Sequence, residues 1–205
     1  MVVVTPSQWL ADLVKQSFLK EYPTTVIHNG IDTAVFQPMQ SDIKMRLGCV
    51  DKRMVLGVAS RWDRRKGLDE FVKLSQILPL EFQIVLVGLS QTQISNLPKN
   101  IIGVEATSSV RELAEFYSAA EIFVNPTQED NYPTTNLEAI SCGTPVITYE
   151  TGGSPESARL YGTAVPKGDV AAIARLLQEA PAFIRVQQSV DKTVALEEYL
   201  ELYRS

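Results

Sequence analysis

The chain has 205 residues, 45% of them hydrophobic; at roughly 150 residues per domain this makes one large domain, or one with an appendage, whose core needs no disulfide or metal staple. Two cysteines, Cys49 and Cys142, with no CxxC and a single histidine exclude a secreted disulfide scaffold and a Cys/His zinc site, and point to the cell interior. A net charge of −5, from 19 Lys and Arg against 24 Asp and Glu, disfavours broad capture of nucleic acid or anionic lipid, so any anion must be gripped locally.

The opening segment, MVVVTPSQWLADLV, lacks the basic region and cleavage site of a signal peptide, and no apolar run nears the ~20 residues of a membrane span. Pro6 and Ser7 open an apolar-periodic helix through Trp9, Leu10, Leu13, Val14 and Leu19. Runs rich in Val and Ile then recur as TTVIH, MVLGVAS, FQIVLVG, NIIGVE, EIFVNPT, TPVITY and GTAVP. Most are apolar without strict alternation, as strands covered on both faces are, and helical stretches separate them, so they predict a parallel α/β sheet. Gln37 to Lys52, polar and with Pro38 near its start, reads as a mobile connection. Ser109 with Glu112 predicts a capping box for a helix over Val110–Ala119, Asp169 caps Val170–Leu177, and Asp191–Tyr203 repeats apolar residues as a C-terminal helix.

In open parallel sheets ligands bind beyond the carboxyl ends of the strands, and three loops there carry chemistry. Arg61-Trp62-Asp63-Arg64-Arg65-Lys66-Gly67 sets four cations between a strand and a helix; it suits a phosphate, and equally a solvated charged turn. Gln128 to Glu138 is rich in carboxylates. Thr135 to Glu138 fits a capping box, while Glu129, Asp130 and Glu138 together exceed what a cap requires and could accept hydrogen bonds from sugar hydroxyls. Thr151-Gly152-Gly153-Ser154-Pro155-Glu156 is either a plain turn or a close backbone approach to a ligand. His28, in the turn His28-Asn29-Gly30, reads as a packed or backbone-bonded residue because no partner base or nucleophile is identifiable. A G-x-S-x-G elbow, a GxxxxGK[ST] loop and a GxGxxG after a strand are all missing, which weakens hydrolase, NTPase and dehydrogenase readings.

In their order, VTPSQWLADLV, VIHNGIDTAVFQP, VASRWDRRKG, ELAEFYSAAEIFVNPT and DNYPTTNLEAISCGTPVITYETGGSPES resemble the C-terminal, donor-binding domain of the retaining glycosyltransferases of family 4 (glycosyltransferase group 1), which have the GT-B fold. The resemblance implies a Rossmann-like three-layer α/β/α domain with a parallel sheet of about six strands over residues 1–190. It further implies that residues 191–205 are a helix packing toward an N-terminal domain not contained here.

Carried over by motif, Arg61 and Lys66 would bind the donor diphosphate and stabilise the leaving group. Asp130 and Glu138 occupy the two ends of the family's E-x7-E, Asp130 toward the transferred sugar and Glu138 on the ribose. Arg61, Lys66 and Asp130 are the expected catalytic residues. Glu129, Asn131, Tyr132, Pro133, Thr134 and Thr135 would complete the donor site, with the base near Gly103, Val104, Glu105 and Ala106.

Two departures stand out. The first acid is Asp130 rather than Glu, so Glu129 competes for that role, and the family's VGxGP is here Val87-Gly88-Leu89-Ser90-Gln91, a loop expected to meet the donor differently or not at all. The implied function is transfer of a hexose, with retention, from a nucleotide diphosphate sugar, UDP-linked by family weighting. The acceptor would be a glycan or lipid-linked molecule in bacterial surface polysaccharide synthesis, held by the N-terminal domain. No metal cofactor and no nucleic-acid partner are expected. The enzyme would be cytoplasmic, with peripheral association at the inner membrane face for the full-length protein. The chain alone would bind donor weakly and transfer nothing. A non-catalytic nucleotide-binding module and a nucleotide-sugar epimerase of the same fold stay open as alternatives.

Overall fold

A computed structural model describes residues 1–179 and 191–204. The first elements are β1 (Val3–Thr5), α1 (Gln8–Val14) and β2 (Thr24–Val26). Ser7 caps α1 by accepting from the Leu10 N–H. The helix stops at Val14 rather than running to Leu19, because the Ser17 hydroxyl and N–H both take the Val14 carbonyl that a further turn would need. β1 and β2 pair in parallel as a sheet of their own, Val3 opposite Thr24. TTVIH is thus a strand, as its composition predicts, but not of the main sheet, since an apolar run specifies a pairing edge and not a partner.

The connection over 37–52 is docked instead of loose. It forms α2 (Ile43–Arg46), buries Phe36 and Ile43, and accepts at the Phe36 carbonyl a 2.6 Å bond from the Ser141 hydroxyl. The rest follows the predicted alternation: β3 (Arg53–Val58), α3 (Leu68–Ile77), β4 (Phe82–Val87), α4 (Gln91–Ser95), β5 (Ile101–Val104), α5 (Val110–Ala119), β6 (Ile122–Asn125), α6 (Thr134–Ser141), β7 (Val146–Tyr149), α7 (Ser154–Ala158), β8 (Gly162–Val165), α8 (Val170–Glu179) and α9 (Lys192–Arg204).

Six parallel strands make the main sheet, in the order β5-β4-β3-β6-β7-β8. Side-chain alternation builds the two outer layers. Val55, Ile84, Leu86, Ile122 and Val124 pack with Phe71 and Leu74 of α3 and Ile173 of α8. Met54, Leu56, Val85, Val87 and Phe123 face the other way, onto Ala114 and Tyr117 of α5 and Leu137 of α6. Phe71 is wholly buried, and truncating a ring so enclosed costs about 3–5 kcal/mol. From β3 the chain winds outward to β5, then crosses back to β6 and winds the other way. The strand order therefore reverses between β3 and β6, which opens a crevice at their carboxyl ends.

The last helix returns to the start of the chain. Asp191 pairs with Ile31 in an isolated parallel bridge, caps α9 by accepting from the Thr193 N–H and takes the Thr33 hydroxyl, while Lys192 meets Asp32 at 2.6 Å. The boundary expected at residue 190 falls in residues 180–190, outside the described residues. Among the described residues no helix is long and apolar enough to cross a membrane.

Candidate functional site

The crevice at the strand-order reversal holds a cavity of about 640 Å³. Val58, Ala59 and Ser60 enter it from the end of β3, Val87 and Gly88 from β4, Ala106 and Thr107 from beyond β5, and Leu113 from α5. The β6–α6 loop supplies Asp130, Tyr132, Pro133, Thr134 and Thr135, α6 supplies Glu138, and the β3–α3 loop supplies Lys66.

The basic run divides its labour. Asp63 accepts from the Lys66 N–H at 2.9 Å and tightens the turn, and Gly67, at φ +81°, caps α3 so close to Pro126 that an added Cβ would stand 2.4 Å from its carbonyl. Lys66 is thereby aimed into the cavity, where its Nζ lies 2.7 Å from Asp130 Oδ2. Arg65 turns the other way and donates to the Glu129 carbonyl. Arg61 is exposed, does not line the cavity and, among the described residues, has no charged partner.

The acidic loop is fixed through its backbone. The Gly153 N–H donates to the Asp130 carbonyl at 3.0 Å. A Cβ at Gly152, where φ is +56°, would meet that carbonyl oxygen at 1.9 Å, and one at Gly153 would meet the Asn131 oxygen at 1.8 Å. The paired glycines thus admit a close approach by the chain's own backbone. Asp130 faces the cavity, whereas Glu129 and Asn131 point to solvent.

The expected capping box of Thr135 with Glu138 does not form. Pro133 is the N-cap of α6 and, among the described residues, no side chain caps it, so the leading N–H groups are left available to an anion in the cavity. Glu138 instead accepts a 2.8 Å hydrogen bond from the Tyr117 hydroxyl. Burial pushes the Glu138 carboxyl above its ordinary value, and the Tyr117 bond pulls partly the other way.

Sequence reasoning missed Tyr117, which in ELAEFYSAAE looks like plain core. It also missed Asn136, wholly buried beneath α6, which accepts from Asn125 at 2.8 Å and donates to the Ser157 hydroxyl at 2.9 Å. An Asn inside an apolar helix was the available signal. Glu156 was missed as an anchor: its two oxygens accept from the Gln8 and Trp9 N–H groups, each at 2.8 Å, tying α1 to α7.

His28 is exposed, donates from Nδ1 to the Pro6 carbonyl and stacks at 4.8 Å on Tyr132. Burial, helped by the Glu156 charge, raises the Tyr132 hydroxyl to about 12. Gly103, Val104 and Glu105 lie just short of the cavity lining, the Gly88 N–H bonding to the Val104 and Glu105 carbonyls. The departing loop after β4 still brings Val87 and Gly88 to the cavity wall. Among the described residues no group of three or more His, Cys, Asp or Glu side chains could hold a metal ion.

Comparison with known proteins matches residues 53–180 to the family model for group 1 glycosyl transferases. Alpha-galactosylglucosyldiacylglycerol synthase of Streptococcus pneumoniae is 30% identical over 164 residues, 72% of this chain and 42% of that protein. The structure of sucrose-phosphate synthase from Thermosynechococcus elongatus superposes with a TM-score of 0.78 at 27% identity, covering 99% of this chain and 57% of that one. Anabaena HepE in complex with UDP-glucose superposes with a TM-score of 0.81, covering 99% of this chain and 63% of that one; its 19% identity speaks for the fold alone. The chain spans less than half the length of the curated relatives it matches first, 42% to 44%.

Proposed function

The chain belongs to the group 1 glycosyl transferases, and from that premise we propose that it is the donor-binding domain of a retaining hexosyltransferase using a UDP-linked sugar. The observation that carries this reading is one cavity lined by a cation, an uncapped helix N-terminus and two acids eight positions apart, Lys66, Thr134 and Thr135, Asp130 and Glu138. The UDP-linked donor is the family-weighted choice, and a solved neighbour of the same fold holds UDP-glucose.

In this reading Lys66 leaves Asp130 for the diphosphate, and Arg61 swings in to share its charge. The leading N–H groups of α6 take the remaining phosphate oxygens, a preorganised electrostatic cradle for the leaving group. Glu138 accepts from the ribose hydroxyls and Asp130, freed of Lys66, from the hydroxyls of the transferred hexose. The base lies against Ala106, Thr107 and Leu113. The acceptor oxygen bonds to the anomeric carbon on the face from which the diphosphate departs, and its proton passes to the departing phosphate oxygen, so the configuration is retained.

The acceptor is a glycan or a lipid-linked molecule of surface polysaccharide synthesis, bound by a further domain. The S. pneumoniae relative, named for a diacylglycerol product, supports a lipid-linked acceptor. The exposed Leu196, Leu200 and Tyr203 recur along α9 at helical spacing, and through them we propose that this helix packs on that domain. An NMR titration of the chain with UDP-glucose tests the site. Amide shifts concentrated at Lys66, Ala106, Thr107, Thr134 and Thr135 are expected, and shifts confined elsewhere would sink the assignment. Anomeric analysis of the product of the parent enzyme separates retention from inversion and from epimerisation.

A further inference from the structure

Tyr117 sits one helical turn beyond Leu113 on α5, so the residue that lines the cavity and the residue that braces it share one helix face. Its ring is wholly buried and clamped edge-on between Phe36, at 6.2 Å, and Phe123, at 5.4 Å, and its carbonyl accepts from the Thr144 hydroxyl at 2.6 Å. A side chain held this firmly has little rotamer freedom left. Its single polar atom donates to Glu138 Oε2. Among the described residues Oε1 of the same carboxylate accepts no hydrogen bond, and it is not a buried orphan, so it is open to the cavity that Glu138 lines. A free carboxylate on a helix surface would rotate between staggered positions; this one has one oxygen tied from behind.

We propose that Tyr117 is the positioning residue of the ribose-binding carboxylate, holding Oε2 of Glu138 so that Oε1 meets the vicinal hydroxyls of a ribose, and that it thereby selects ribonucleotides over their deoxy forms. The inference rests on the donor-site reading above. A residue type at the Tyr117 position without a hydroxyl would leave the fold and the diphosphate cradle in place and lose the ribose grip.

Calorimetric titrations with UDP and 2′,3′-dideoxy-UDP, on the chain and on Tyr117→Phe, Glu138→Gln and the double variant, test it. A hydrogen bond to a charged group predicts that Tyr117→Phe weakens UDP binding ~10-fold and leaves dideoxy-UDP within about twofold, shrinking the ribose preference of the unaltered chain. In the Glu138→Gln background the same change should cost UDP nothing further, because the oriented carboxylate is already gone. Unchanged dideoxy-UDP affinity certifies that Tyr117→Phe is folded. Equal weakening of both nucleotides, unchanged UDP affinity, or full additivity in the double variant overturns the positioning role while the donor reading stands. Absence of nucleotide binding by the unaltered chain overturns both.

Discussion

Asp130 and Glu138 line the same cavity from one loop-helix segment, yet they are held in opposite ways. Asp130 rides on a loop pinned by its backbone to Gly152 and Gly153, and its charge is matched by Lys66 at 2.7 Å. Glu138 sits inside a helix where, among the described residues, no cation pairs with it and its side chain bonds only to the neutral hydroxyl of Tyr117, and burial raises its pKa. The paired acid can be released by a competing anion that takes Lys66. The unpaired one is permanently strained toward its neutral form, and a ligand hydroxyl that bonds to it relieves part of that cost. One end of the cavity is therefore an exchangeable ion pair, and the other a preorganised acceptor.

Disrupting the pin at the Asp130 end should have the largest effect. Gly152→Ala forces a Cβ to within 1.9 Å of the Asp130 carbonyl oxygen at φ +56°, and should cost about 2–4 kcal/mol of stability, read from chemical denaturation. Lys66→Ala removes the point charge and should weaken UDP-glucose binding ~100-fold with the fold intact.

At the other end, Glu138→Gln should weaken UDP ~10-fold and yet stabilise the protein. The sign follows from the raised pKa: the stability tied to Glu138 is intact below the ordinary carboxylate range and is lost as pH rises through the raised folded-state value. At neutral pH the amide avoids that loss, so Tm rises, at roughly 2–4 °C per kcal/mol, and the gain vanishes in acid. For the same reason UDP affinity of the unaltered chain should fall on acidification before the ordinary carboxylate range is reached. The smallest effect is expected for Asp130→Asn. It frees Lys66, so UDP should bind ~3-fold tighter while the preference for UDP-glucose over UDP disappears. A loss of UDP affinity there would mean that Asp130 holds Lys66 in place rather than competing for it.

Much of this was legible in the sequence. The Val and Ile runs mark every strand of the main sheet, and Ser109 and Asp169 cap their helices as their positions predict, although the Glu112 carboxylate bonds to Ser108 and the expected box with Ser109 stays half-made. Lys66, Asp130 and Glu138 fall in one crevice because the β3–α3 loop, the β6–α6 loop and α6 all meet at the strand-order reversal. Less legible was whatever depends on partners distant in the chain. The Thr135 to Glu138 pattern matched a capping box, but Pro133 took the cap position and Tyr117, 21 positions earlier, took the carboxylate. The double glycine signalled a close approach without saying to what, and Glu156 caps a helix 148 positions away. TTVIH had the composition of a strand in the main sheet, and only β1 reveals its partner.

The most direct test of the central claim is calorimetric titration of UDP-glucose, GDP-mannose and ADP-glucose into the 205-residue chain beside Lys66→Ala and Glu138→Gln. The account predicts one UDP-glucose per chain, preferred over the other two donors and weakened by both substitutions. If no donor binds, or both variants bind UDP-glucose as tightly as the unaltered chain, the crevice between β3 and β6 is not a nucleotide-sugar site.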